Sequence, residues 1–418
     1  MLNTRKPPLT AALLFLYLYM GYIFLMLNQH FNIPLKIIPG LLICFGFIAY
    51  SRLSKSAHSW RYFYGSRATQ LLLIFLLLLT GCFVFGTSSQ LPKVGGFIVL
   101  VEIFISPMLL AVIALQIFPL DRQDHSEIKT IHLLCQACVA GVIFLAFTDV
   151  AHYLRDFYRI GRVPDDYSHR WFADGYIFFM PWLLLNFVKT HVLSRRLLWL
   201  AAIFGIFILI SGTASRASLG VTVLEVCLFM AFYRKKPIAF LLPLFLVAAY
   251  FIGASILAPN QVEALLARGV TYETRVYDAW LPAKTFIFEN PYFGKGFGLA
   301  IWNESFVNFL AGHSGWPGVN MGGTHNLILN VGFIGGIMGI ACFVAFALTL
   351  IITLLHLVLR APFVIGGPAL ATLCSFIDFY LVRGLVESSR FEPLGITVLF
   401  TLILSFAYRR STLNMQKT

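Results

Sequence analysis

Runs of about 20 apolar residues recur along the chain between short polar connections, and that length matches the hydrocarbon core of a bilayer. Twelve such blocks stand out, near 9–28, 31–50, 71–88, 97–120, 131–150, 171–188, 197–212, 217–233, 237–257, 327–359, 361–382 and 391–408. Each predicts a membrane-crossing helix, because a chain in lipid must satisfy its backbone polar groups internally. The tenth block, at 33 residues, is longer than one upright helix needs, so its beginning is expected to lie outside the lipid. The blocks show no convincing internal repeat.

One interval breaks this rhythm. Residues 258–324 make a 67-residue connection, long enough to fold over the membrane surface. Within it, 261–268 and 276–288 read as short amphipathic helices separated by Gly269, and the turn-rich Asn290-Pro-Tyr-Phe-Gly-Lys-Gly-Phe-Gly298 follows. With no strand before it, that stretch reads as a turn rather than a phosphate-cradling nest. The expected organisation is transmembrane helices 1–9 over 1–257, the large loop over 258–324, and helices 10–12 over 325–418.

Composition supports the pattern. Of the 418 residues, 59% are hydrophobic and only 12% charged, which excludes an ordinary soluble enzyme. The net charge of +13 would suggest nucleic acid in a soluble chain, whereas here it bears on orientation. With the N-terminus inside, inner segments hold 18 of the 31 Lys and Arg, and eight of the outer 13 sit in the two longer loops, 151–170 and 258–324. That bias puts both termini inside and the large loop outside. The run 9–28, after Arg5 and Lys6, is too long for a signal-peptide core and is expected to remain as the first span. All seven cysteines lie in apolar blocks, so no disulfide is expected, and Cys135-x-x-Cys138 reads as buried packing rather than a redox or zinc pair.

The eight outer cations are Arg155, Arg159, Arg162, Arg170, Arg268, Arg275, Lys284 and Lys295. They suit either a solvated surface or an anion site. Arg216, in Gly212-Thr-Ala-Ser-Arg-Ala-Ser218, is held in a short outer connection, which favours anion recognition over snorkelling to headgroups. Arg275 has Glu273 or Asp278 as its nearest ordinary partners. His325 is expected in the first turn of a helix capped by Thr324, where the positive helix end would keep the imidazole neutral and able to take a proton. Its plain alternative is a polar end-group. Arg383 and Glu387, four apart, suit an ordinary helix ion pair, though they share the outer level with Arg216 and His325. Glu102, Asp149 and Glu225 fall in or beside spans and receive no role. Asp165-Asp166 reads as a turn after Pro164, and no metal is expected.

These residues resemble the bacterial O-antigen ligase family, within the wider O-antigen ligase and polymerase superfamily. The resemblance rests on His325-Asn-Leu-Ile-Leu-Asn-Val-Gly-Phe-Ile-Gly-Gly336, on Ser215-Arg216, on Arg275 followed by the Asn290 to Gly298 run, and on Phe379-Tyr-Leu-Val-Arg-Gly384 with Glu387. It covers about 170–400, and the first half matches only in span pattern.

The resemblance implies an all-α membrane glycosyltransferase of GT-C type, with about twelve spans and its active site on the periplasmic face of the inner membrane. It would transfer O-polysaccharide from undecaprenyl diphosphate to a sugar hydroxyl of lipid A-core, inverting the anomeric centre, with no cofactor, metal or nucleic acid. On this reading His325 is the catalytic base, Arg216, Arg275 and Arg383 contact the diphosphate, and Asn326 and Glu387 are secondary. An O-antigen polymerase using the same carrier and a membrane transporter are the alternatives.

Overall fold

The structure is a computed structural model and describes residues 67–88, 99–109, 126–161, 170–212, 216–233, 275–320, 322–387 and 391–415, with isolated positions at 18, 96, 247–248, 251–253 and 255–256. The spans expected near 9–28, 31–50 and 237–257 lie outside the described residues apart from those positions, as does the loop segment 261–268. Every element described is helical.

In chain order these are α1 (Arg67–Ser88), α2 (Ser126–Ile160), α3 (Arg170–Lys189), α4 (Leu193–Gly212), α5 (Arg216–Tyr233), α6 (Leu281–Glu289), α7 (Leu299–Gly312), α8 (Leu327–Arg360), α9 (Phe363–Phe376) and α10 (Leu394–Met415). A π-helical turn, Val276–Trp280, leads into α6. Another, Ile377–Val382, and a 3-10 turn, Arg383–Leu385, prolong α9. Among the described residues, six helices are long and apolar enough to cross a membrane: α1, α2, α4, α8, α9 with its extension, and α10. The described residues are those of an all-helical, polytopic membrane protein.

Burial separates inner from outer helices. In α9 83% of the most apolar window is buried, against 22% in α4, so α9 lies within the bundle while α4 turns Leu197 and Leu198 outward. The core centres on α3, which packs against α2, α4, α5 and α9 and buries Phe172, Tyr176, Phe178, Phe179 and Trp182. A helix apolar on all sides belongs in such a position. Exposed Leu77, Phe147 and Ile352 would be a liability in water and are natural against lipid. Asp149 on α2 accepts a hydrogen bond from the Tyr176 hydroxyl at 2.8 Å, so this intramembrane acid ties α2 to α3.

Two expectations about the outer segments change. At 35 residues, α2 continues to Ile160, roughly 52 Å, so Arg155 and Arg159 sit on a helix rather than in the 151–170 loop. Arg155 pairs with its neighbour Asp156 at 3.1 Å. The large loop also contains α7, whose apolar side buries Ile301, Trp302, Phe306 and Phe309.

The long tenth block breaks at Gly336, where φ is 67° and ψ −164°. Residues 327–335 form a short leading helix, and 337–360 continue for roughly 36 Å. A break leaves backbone groups without helical partners, and the Asn290–Gly298 turn supplies them. The Ile337 N–H donates to the Pro291 carbonyl at 2.7 Å, and the Lys295 N–H donates to the Phe333 carbonyl at 2.6 Å. The turn fits only because its neighbours are small. A Cβ on Gly336 would lie 2.5 Å from the Tyr292 carbonyl carbon, and one on Gly86 of α1 would collide with the carbonyls of Phe293 and Ile334. Thr87 of α1 completes the joint by accepting from the Phe297 N–H at 3.1 Å. The glycine-rich run thus buttresses a broken helix.

Candidate active site

The N-terminus of α8 places the histidine. Asn326, not Thr324, caps the helix: its side chain accepts from the Leu329 N–H at 3.0 Å. The Thr324 hydroxyl instead donates to the Asn326 carbonyl at 2.8 Å. His325 therefore precedes the cap rather than occupying the first turn. Its φ of 47° is left-handed, the only such value at a non-glycine among the described residues. That backbone costs on the order of 1–3 kcal/mol and persists only where surroundings enforce it. Asn326 provides one restraint, since its amide also donates to the Leu385 carbonyl at 2.9 Å and ties α8 to the end of the α9 extension.

The second restraint is Glu387. His325 Nδ1 lies 3.0 Å from Glu387 Oε2, and Arg275 Nη2 donates to Oε1 at 2.7 Å. Arg275 Nη1 also donates to the Val386 carbonyl. One carboxylate thus joins the start of the loop helix, the start of α8 and the end of α9. Burial alone would raise the Glu387 pKa, but the His325 bond and the charges of Arg275, His325 and Arg383 outweigh it and hold the carboxyl at about 2. An ionised carboxylate only accepts hydrogen bonds, so Nδ1 carries the hydrogen of this pair. The three side chains remain partly exposed, at 29%, 23% and 26% for Arg275, Glu387 and His325, so the cluster can be reached from outside.

Arg383 does not form the helix pair that its spacing suggested. The π and 3-10 turns at the end of α9 change the register, and Arg383 Nη2 meets Asp174 Oδ1 of α3 at 2.5 Å. Asp174 carries no expectation from the sequence, although a single acid inside an apolar block is the signal that could have marked it. The Arg383 side chain is buried, and its Nε and Nη1 have no hydrogen-bond partner among the described residues. Arg275 likewise does not bond Asp278, one of its two expected neighbours. Glu273 lies outside the described residues, and Asp278 accepts from the Val319 N–H at 2.7 Å.

Arg216 opens α5, which packs against the Arg383–Leu385 turn, while its side chain lies outside the described residues. Arg162 and Arg268 lie outside them as well. Lys295 pairs with Glu289 at 2.7 Å, away from the His325 cluster. No group of three or more potential metal-ligating side chains occurs among the described residues.

Fold and site together define a polytopic helical membrane protein that joins an imidazole, a carboxylate and a guanidinium where a large loop meets two spans. No protein-family model matches the chain. It is 29% identical over 266 residues to the protein named O-antigen ligase from Salmonella typhimurium (strain LT2), a match covering 60% of this chain and 63% of that protein's length. The similarity supports membership of the O-antigen ligase family.

Proposed function

We propose that the protein is an O-antigen ligase of the bacterial inner membrane, with both termini cytoplasmic. On the periplasmic face it transfers O-polysaccharide from undecaprenyl diphosphate to a hydroxyl of lipid A-core. The observation carrying this reading is Glu387, which bridges His325 and Arg275 and so brings a base and an anion-binding group to one point.

The chemistry follows from the groups. As the acceptor hydroxyl attacks the anomeric carbon, the carbon–oxygen bond to the diphosphate breaks and the hydroxyl loses its proton. With the Nδ1 hydrogen donated to Glu387, the basic lone pair of a neutral His325 falls on Nε2, which takes that proton. Glu387 then faces the imidazolium and stabilises it. Negative charge grows on the departing diphosphate, where fixed guanidinium groups can do the work of a metal cation. Arg275 is one such group. Arg383, whose buried Nε and Nη1 have no hydrogen-bond partner among the described residues, is a second, and Arg216 at the start of the adjoining α5 is the third. Attack opposite the leaving group inverts the anomeric centre.

Deleting the gene tests the reading directly. Loss of a ligase leaves finished polymer on undecaprenyl diphosphate and bare core on lipid A, seen on a lipid and glycan gel. Core bearing a single repeat would indicate a polymerase instead. Unaltered lipopolysaccharide would rule out both.

A further inference from the structure

Exposed apolar residues line two packed spans and continue past the point where the spans end. On α1, Leu71, Ile74, Leu78 and Phe85 are exposed and stand three, four and seven apart, so they share one stripe. On α8 after the break, exposed Ile337, Val344, Leu348, Ile352 and Leu359 recur at intervals of seven and four. The two helices pack against each other, and both touch the Asn290–Gly298 turn. The Phe85 ring lies 5.6 Å from that of Phe293, and the Ile337 N–H is bonded to the Pro291 carbonyl. At that point Phe293 is exposed, with Tyr292 at 71% and Phe288, near the end of α6, at 64%. Facing water, rings gathered in this way would be a liability.

We propose that residues 288–293 are seated in the bilayer itself, at the headgroup boundary of the leaflet on the His325 side, with phospholipid as their partner. Length sets the depth. From Ile337 to Arg360, α8 measures roughly 36 Å against a hydrocarbon core of about 30 Å. With the Arg360 cation at the opposite boundary, Ile337 comes level with the near headgroups, and the turn bonded to it lies there too. The side chains suit that level. A tyrosine places an apolar ring toward the acyl chains and a hydroxyl toward the headgroups. Lys284 is exposed on the same side of α6 as Phe288, with its ammonium 6.0 Å from the ring centroid. A lysine there can lay its stem on apolar surface and offer its charge to a lipid phosphate. Lipid is the partner rather than a second copy because the patch continues surfaces that two spans already present to the bilayer. The seat has a mechanical consequence. The same turn holds the α8 break, and Leu327 lies nine residues before Gly336, so the start of α8 is within about 14 Å of a point fixed to the membrane surface. The inference does not depend on the ligase reading.

The test uses full-length wild type in nanodiscs of phosphatidylcholine carrying a diazirine near the carbonyl end of one acyl chain. A parallel sample is exposed to hydroxyl radicals, and both are mapped by peptide mass spectrometry. Lipid adducts should fall on 288–293 as they do on Phe85 and Ile337. The double variant Tyr292→Glu with Phe293→Glu should lose adducts on the turn about tenfold, because charge is expelled from the acyl region. Adducts on Leu348 and Ile352 should stay unchanged and so confirm that the variant is inserted. Absence of lipid adducts on the wild-type turn would overturn the proposal. Strong oxidation of Tyr292 would then place the turn in water, and cross-linking between copies would identify a second chain as its cover. Adducts undiminished in the double variant would overturn it as well.

Discussion

Glu387 holds His325 by its Nδ1 nitrogen across 3.0 Å, although 62 residues separate them in the chain. The contact joins the end of the α9 extension to the residue before the α8 cap and fixes which ring nitrogen carries the hydrogen. An imidazole held in this way is presented in one tautomer and one orientation, as the proposed proton transfer requires.

Replacing Glu387 with Gln keeps the shape and removes the charge. The amide can offer its NH₂ to the ring and select the wrong tautomer, so transfer should fall by about 10²- to 10⁴-fold with normal insertion. Initial rates with purified variant and lipid-linked donor check this. A rate within a few-fold of wild type would remove Glu387 from the mechanism.

Glu387 also makes stability depend on pH. Its folded pKa of about 2 lies below the ordinary 4.5, so the ionised form stabilises the fold above pH 4.5. That contribution is lost as pH falls from 4.5 through about 2. Thermal unfolding of wild type and Glu387→Gln in detergent should differ most above pH 5 and converge in acid. A constant difference across the range would contradict the depressed pKa.

Removing the partner of Arg383 should be costly in a different way. Asp174→Ala leaves a buried guanidinium without its counter-charge, a loss of about 3–5 kcal/mol for a buried pair. Detergent melting curves should show a large drop in midpoint, whereas Asp174→Asn should fall between the two.

Gly336 occupies a left-handed backbone position against Tyr292. Gly336→Ala should therefore destabilise the α8 break by about 1–3 kcal/mol through backbone strain alone, before the collision is counted. Limited proteolysis of the 290–298 turn should quicken in this variant. Unchanged melting and cleavage would show that the break does not depend on that glycine.

The helices were largely legible because lipid imposes one strong rule, and α1, α3, α4, α5 and α9 begin or end within a few residues of their apolar blocks. What the pattern missed depends on the third dimension. Periodicity gave no hint that α9 ends in π and 3-10 turns, so Arg383 and Glu387 looked like helix neighbours yet face Asp174 and Arg275. The cap fell on Asn326 rather than Thr324 because both residue types cap well and only the fold decides between them. The length of the tenth block did signal a change within it, and the glycine-rich run that answers it was visible as a turn without its partner. The candidates His325, Arg275, Asn326 and Glu387 come together, though Arg275 and His325 meet only through an acid more than 60 positions away from either.

The most direct test of the account is transfer by purified protein from lipid-linked O-polysaccharide to lipid A-core, comparing wild type with His325→Ala. The variant should fold and insert normally while its rate falls by about 10²- to 10⁴-fold, the loss expected when a positioned base is removed. Wild-type rates in a properly inserted His325→Ala protein would contradict the proposed role of the imidazole.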